Sequence, residues 1–219
     1  MIKESAGEIF SIAKDNPTVA GCTVSKEIFS SDDSYISHFS LAENTDISAE
    51  IYSYPKFLFA VVGEAKVYTN THTLGTISTD KCIVTPVGVP VGIRTEKSII
   101  YTEISFGRNS VMNNVIKPGE IFSLKELLPY QDGKIVNMDV AHNERMKFVV
   151  MSFDKGTGLA EHAAPGEALI FALDGEGVIG YEGKEYKIKA GENFKFAKNG
   201  KHYVKATERF KMALLLTLE

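Results

Sequence analysis

The chain has little of several things, and each shortage narrows its class. No apolar stretch comes near the roughly 20 residues that a membrane-spanning helix needs. The longest, residues 57–62 and 212–216, are strand-sized. An excess of positive charge is missing too. Lys and Arg number 24 against 28 Asp and Glu, so the formal net charge is -4 and the pI about 5.8. Nucleic acid or an anionic membrane would call for a basic face, so neither is expected as a partner. The opening residues, MIKESAGEIF, carry acidic side chains and no apolar h-region, so no signal peptide is expected there. There are only two cysteines, Cys22 and Cys82, with no CxxC spacing. They read as two small core side chains in a reduced, cytoplasmic protein, not as a disulfide. Low-complexity segments are also lacking.

What is present is a repeat. The string GEIFS occupies residues 7–11 and returns at residues 119–123, an offset of 112. Without a gap, the same offset pairs Pro17 with Pro129, Gly21 with Gly133, Val24 with Val136, Ser40 with Ser152 and Thr45 with Thr157. It then pairs Phe59, Ala60, Gly63 and Glu64 with Phe171, Ala172, Gly175 and Glu176. One register held over that length is the mark of an internal duplication. One residue is lost later, so that Asp80, Pro86 and Val91 fall on Gly191, Ala197 and His202. The repeat divides the chain into residues 1–112 and 113–219, with residues 107–118 as the expected linker.

Each half reads as short strands. In the second half the expected runs are residues 147–153, 168–173, 178–181, 186–189, 193–197 and 212–218, punctuated by Asp174-Gly175, Glu182-Gly183 and Ala190-Gly191. Residues 181–186, YEGKEY, predict a hairpin with aromatics across it. Ser123 followed by Glu126 is a capping-box pattern ended by Pro129, predicting a turn or two of helix, and less at residues 11–16. Regular short strands at this spacing suit a barrel or sandwich, so the fold class is all-β.

Two motifs in the second half carry a resemblance. Residues 161–168, EHAAPGEA, lead on to Gly175. Gly191, Ala197, Asn199 and His202 fall on the four fixed positions of a GxxxxxPxGxxH pattern, with Ala for Pro and Asn for Gly. The chain thus resembles the cupins, in the two-domain form called a bicupin. The resemblance implies two tandem double-stranded β-helix, jelly-roll-like barrels with a pocket at the mouth. It also implies a metal held by three His and one Glu. Only His162 and His202 match the first and last of those ligands. The second His position is Ala164, and the Glu position is Ala168, one residue past Glu167. In a strand a one-residue shift turns the side chain to the other face. In the first half, Glu50 stands in the place of His162 and Val91 in that of His202, so no metal is expected there.

The candidate site is therefore the pair His162 and His202 in the second barrel. Phe194 and Phe196 alternate with Lys195, so they should line an apolar pocket with Ala164, Ala168 and Ile170. The pair could bind a divalent transition metal or a small molecule, or serve as acid and base. The alternative for the same residues is ordinary barrel core. Lys195, Lys198, Lys201 and Lys205 read as a solvated edge. The functional readings are a ligand-binding or regulatory bicupin, a purely structural one, and a metal-dependent oxygenase or isomerase of a small molecule. The expected state is a monomer with pseudo-twofold symmetry or a homodimer.

Overall fold

The computed structural model describes residues 1–31 and 34–218. It contains two compact units. The N-terminal unit is Ile12–Ser123, and the C-terminal unit joins Met1–Ser11 to Leu124–Glu219. The repeat and the compact unit thus divide the chain differently, at 112/113 and at 11/12 with 123/124.

In chain order the first repeat holds strands β1 (Ile9–Phe10), β2 (Thr23–Ser31), β3 (Ser34–Leu41), β4 (Thr45–Ile51) and β5 (Lys56–Thr69). It continues through β6 (Thr73–Ser78), β7 (Lys81–Val84), β8 (Pro90–Thr95), β9 (Ile99–Ser105) and β10 (Val111–Met112). The second repeat begins with β11 (Ile121–Ser123), β12 (Ile135–His142), β13 (Met146–Phe153), β14 (Gly158–Ala163) and β15 (Ala168–Tyr181). Strands β16 (Lys184–Lys189), β17 (Asn193–Phe196), β18 (Lys201–Lys205) and β19 (Phe210–Thr217) close it.

The two units have the same strand order. In the N-terminal unit one sheet runs β11-β7-β5-β9-β3-β2, and the other pairs β4 with β8 and β5 with both β8 and β6. In the C-terminal unit the matching sheets run β1-β17-β15-β19-β13-β12, and β14 with β18 and β15 with both β18 and β16. One 14-residue strand, β5 or β15, serves both sheets of its unit and folds one over the other. Asp174-Gly175 was expected to end a strand there, and instead β15 passes through it on a bulge between Ala172 and Asp174. Gly175 makes the bend feasible. Its φ is +67°, and a Cβ would sit 1.8 Å from the Arg209 carbonyl oxygen. Gly63 repeats the device in β5, with φ +90° and the Ser98 oxygen 2.1 Å from a would-be Cβ.

The GEIFS string explains the mismatch of boundaries. Its first copy supplies β1 to the C-terminal unit, where Ile9 pairs with Phe194. Its second copy supplies β11 to the N-terminal unit, where Ile121 pairs with Ile83. Each covers a sheet edge that would otherwise present unpaired backbone groups.

Between the sheets of the C-terminal unit lie Met151, Phe153, Ala168, Ile170, Phe194, Phe196, Phe210 and Met212, all buried. The N-terminal core is built on Leu41, Leu58, Ala60, Ile83, Ile99 and Tyr101. The helical signals are realised as one 3-10 turn, Leu124–Glu126, and one four-residue α-helix, α1 (Ile12–Asp15), so the second is the longer, contrary to expectation. Asn16 caps α1 by donating from its side chain to the Ile12 carbonyl at 2.9 Å. Cys82 is a core side chain as expected, but Cys22 is exposed, because it lies in the turn leading into β2. No helix among the described residues is long and apolar enough to cross a membrane.

Candidate functional site

His162 lies on β14 and His202 on β18, and the two are direct partners in the antiparallel register. A bulge between Leu159 and His162 sets that register. Side chains directly opposite in such a ladder point to one face, so the rings meet at a centroid separation of 4.3 Å. His202 is buried and stacks on Phe196, centroid to centroid 3.9 Å, while His162 is exposed.

Local backbone fixes the tautomers. His162 Nδ1 lies 2.9 Å from the Ala160 carbonyl oxygen, and His202 Nδ1 lies 2.8 Å from that of Gly200. A carbonyl only accepts, so Nδ1 carries the proton in both rings and each neutral ring keeps its lone pair on Nε2. Burial lowers the pKa of His202 below the usual histidine value, and the neighbouring His162 lowers it further, against an upward pull from the hydrogen bond to the Gly200 carbonyl. In its neutral form each ring therefore presents Nε2 as an acceptor.

The other expected pocket residues divide. Phe194 and Phe196 are in the core, where Tyr181 and Tyr186 pack on Phe194 at 5.7 and 5.0 Å. Ala168 and Ile170 are core side chains as well, and Ala164 is half-buried beside the site. Glu167 faces away from the core cluster that holds Ala168, as the one-residue shift requires. It is not solvated. It pairs with Lys195 at 2.7 Å and accepts a hydrogen bond from the Ile2 backbone N–H, and Lys195 Nζ donates to the Ile2 carbonyl at 2.6 Å. Lys195 thus corrects the expectation of a solvated edge: it is buried, because the N-terminal arm covers it, whereas Lys198, Lys201 and Lys205 are exposed as expected.

A resident metal of the kind the fold implies does not fit this donor set. Two imidazoles are present where three or four protein ligands are usual. Glu167 is committed to Lys195, and the described residues hold no group of three or more His, Cys, Asp or Glu placed for an ion.

The mouth of the N-terminal unit holds different chemistry. Glu50 is paired in register with Val91, as His162 is with His202. Beside it stand Lys56 and Glu103, an ion pair at 3.2 Å with both side chains nearly buried. Sequence reasoning missed these two. The signal was available, because the repeat places Lys56 at the position of Ala168, and the strand registers place Glu103 at that of Leu214. Two open grooves also recur on the units, of about 670 Å³ beside Tyr68 and Arg94 and about 430 Å³ beside Val178 and Lys187. In the first, Lys66 and Glu64 are already paired, with Glu96 and Lys97.

Residues 149–218 match the family described as Cupin domain. No curated protein sequence matches the chain. Among solved structures, a Cupin 2 conserved barrel domain protein from Leptotrichia buccalis is similar to it over 99% of each chain, with 29% identity and a TM-score of 0.88. A salicylate 1,2-dioxygenase from Pseudaminobacter salicylatoxidans is similar over 84% of this chain and 70% of its own, with 14% identity and a TM-score of 0.61. At that identity the second likeness is one of fold alone.

Proposed function

We propose that this chain, whose residues 149–218 match the Cupin domain family, binds a small molecule at the His162–His202 pair, without a resident metal. One observation carries the reading. Both imidazoles are locked by backbone carbonyls with Nδ1 protonated, so both Nε2 atoms are left as acceptors on one face. A ligand with two donors, or one donor and a flat apolar part to lie along Phe196, suits that face. The alternative of a metal-dependent oxygenase or isomerase has a dioxygenase among the fold neighbours on its side. The donor set counts against it, and no reaction step is assigned to a metal.

A divalent ion added in solution would find two protein ligands and complete its shell with water or ligand. It would be held weakly and released below about pH 6, as the imidazoles protonate. The test is ring nitrogen NMR on the full chain, followed by thermal-shift screening of small polar aromatics. Both rings should show a protonated Nδ1 and a bare Nε2 at about pH 7.5, roughly one unit above the usual histidine pKa. Hits should vanish in His202→Ala. Rings with bare Nδ1 atoms, or hits indifferent to both histidines, would sink the reading.

A further inference from the structure

The mouth of the N-terminal unit carries charge where its sister carries hydrocarbon. Lys56, Thr85 and Glu103 stand at the positions of Ala168, Phe196 and Leu214. A nearly buried ion pair is a poor way to stabilise a barrel. Apolar side chains of similar volume, such as the sister unit has, commonly do as well or better. The charges therefore call for a use other than packing.

Their arrangement indicates one. Lys56 Nζ lies 3.2 Å from Glu103 and 3.7 Å from the centre of the Tyr52 ring. Tyr35 donates from its hydroxyl to the same Glu103 at 2.5 Å. An ammonium has three donors, more than those partners use. Thr85 Oγ1 accepts from the Lys56 backbone N–H, so its own hydroxyl proton remains to be donated. At the exposed rim stands a second carboxylate, Glu50, which accepts from the Tyr52 hydroxyl. Lys56, Thr85, Glu103, Glu50 and Tyr52 are among the side chains that line a small open cavity of about 30 Å³, suited to a carboxylate-sized group.

We propose that this mouth is a second ligand site, for a small zwitterion with an ammonium beside a carboxylate, as in an α-amino acid. Its carboxylate enters the cavity and meets the Lys56 ammonium and the Thr85 hydroxyl. Its ammonium stays at the rim, on the Glu50 carboxylate. Neither charge suffices alone. A bare carboxylate would meet Glu103 and Glu50 without compensation, and a bare ammonium would meet Lys56. The side chain of the ligand points to solvent, because the cavity has no space for it. This site is separate from the His162–His202 pair and does not depend on it.

The experiment is calorimetric titration of the full chain with each standard L-amino acid, and with methylammonium and acetate as half-ligands. At least one amino acid should saturate, with both half-ligands weaker by about tenfold or more. Glu50→Gln, a rim substitution that leaves the core alone, should weaken binding about tenfold. The double variant Lys56→Ala with Glu103→Leu installs the sister unit's own side chains and should fold, as its thermal melt will report, and bind no amino acid. His162→Ala and His202→Ala should leave the affinity unchanged. The proposal falls if no amino acid saturates below about 10 mM, if a half-ligand binds equally well, or if binding survives the double variant. Loss of binding in the histidine variants alone would also overturn it, by moving the ligand to the other barrel.

Discussion

The two units share a strand order and differ in what they enclose. The C-terminal unit fills its interior with Ala168, Ile170, Phe194, Phe196 and Met212, stacks His202 on Phe196 and sets His162 against His202. The N-terminal unit keeps the same apolar base in Leu58, Ala60 and Ile83, then places Lys56, Thr85 and Glu103 above it. The frame tolerates both because alternation and the shared bent strand determine it. The few inward positions nearest solvent are free to vary. A barrel of this kind is a scaffold whose mouth can be rewritten in a handful of side chains without touching the sheets.

The sharpest way to break the comparison is at the N-terminal ion pair. Lys56→Met alone strands the Glu103 carboxylate and should cost about 3–5 kcal/mol in chemical denaturation. The double change, Lys56→Ala with Glu103→Leu, should restore much of that stability, since it leaves no buried charge unpaired and installs the sister's side chains at two of the three positions. A double variant as weak as the single one would mean that the two interiors are not interchangeable.

The arm of the C-terminal unit gives the next effect. Lys195→Met removes the cation that pairs with Glu167 and holds the Ile2 carbonyl. It should destabilise that unit by about 3 kcal/mol and expose residues 1–11 to proteolysis. The N-terminal unit has Val84 and Pro55 at the corresponding positions, so nothing comparable can be broken there.

Acid should separate the units as well. His38, on β3, is buried against Thr102, with Nδ1 3.0 Å from its Oγ1. Loss of water, and after it the charge of Lys26, bring its pKa down to about 3. The unfolded chain therefore binds this proton first. Stability should be flat above about pH 6.5 and fall by about 1.4 kcal/mol per pH unit below it, down toward the folded-state pKa. The C-terminal unit has Val150 at this position, and His38→Val should remove this contribution from the acid slope in pH-dependent denaturation, leaving the one from His202, whose pKa burial also lowers.

The smallest effect is expected at the candidate site. His162→Ala and His202→Ala should each change stability by no more than about 1 kcal/mol in thermal melts, while abolishing ligand binding, because an exposed ring and its partner at the rim contribute little to the core. A larger loss at His202 would mark its stack on Phe196 as part of the core.

The sequence by itself determined the β-rich architecture, the repeat and the meeting of His162 with His202. The first two rest on patterns local in the chain, period-2 alternation, turn residues and a register held at one offset, and the third on the resemblance of two motifs to the cupins. The same patterns foretold that Glu167 would turn away from Ala168. Tertiary structure alone decided the rest. That GEIFS joins the opposite unit, that residues 1–11 bury Lys195, and that Asp174-Gly175 bends a strand instead of ending it all depend on which distant backbone comes close. Lys56 and Glu103 lie 47 positions apart, by their numbers, on strands whose pairing closes the interior. Read singly they are two ordinary surface charges; only the closing of the sheets, which removes their water, makes them one pair.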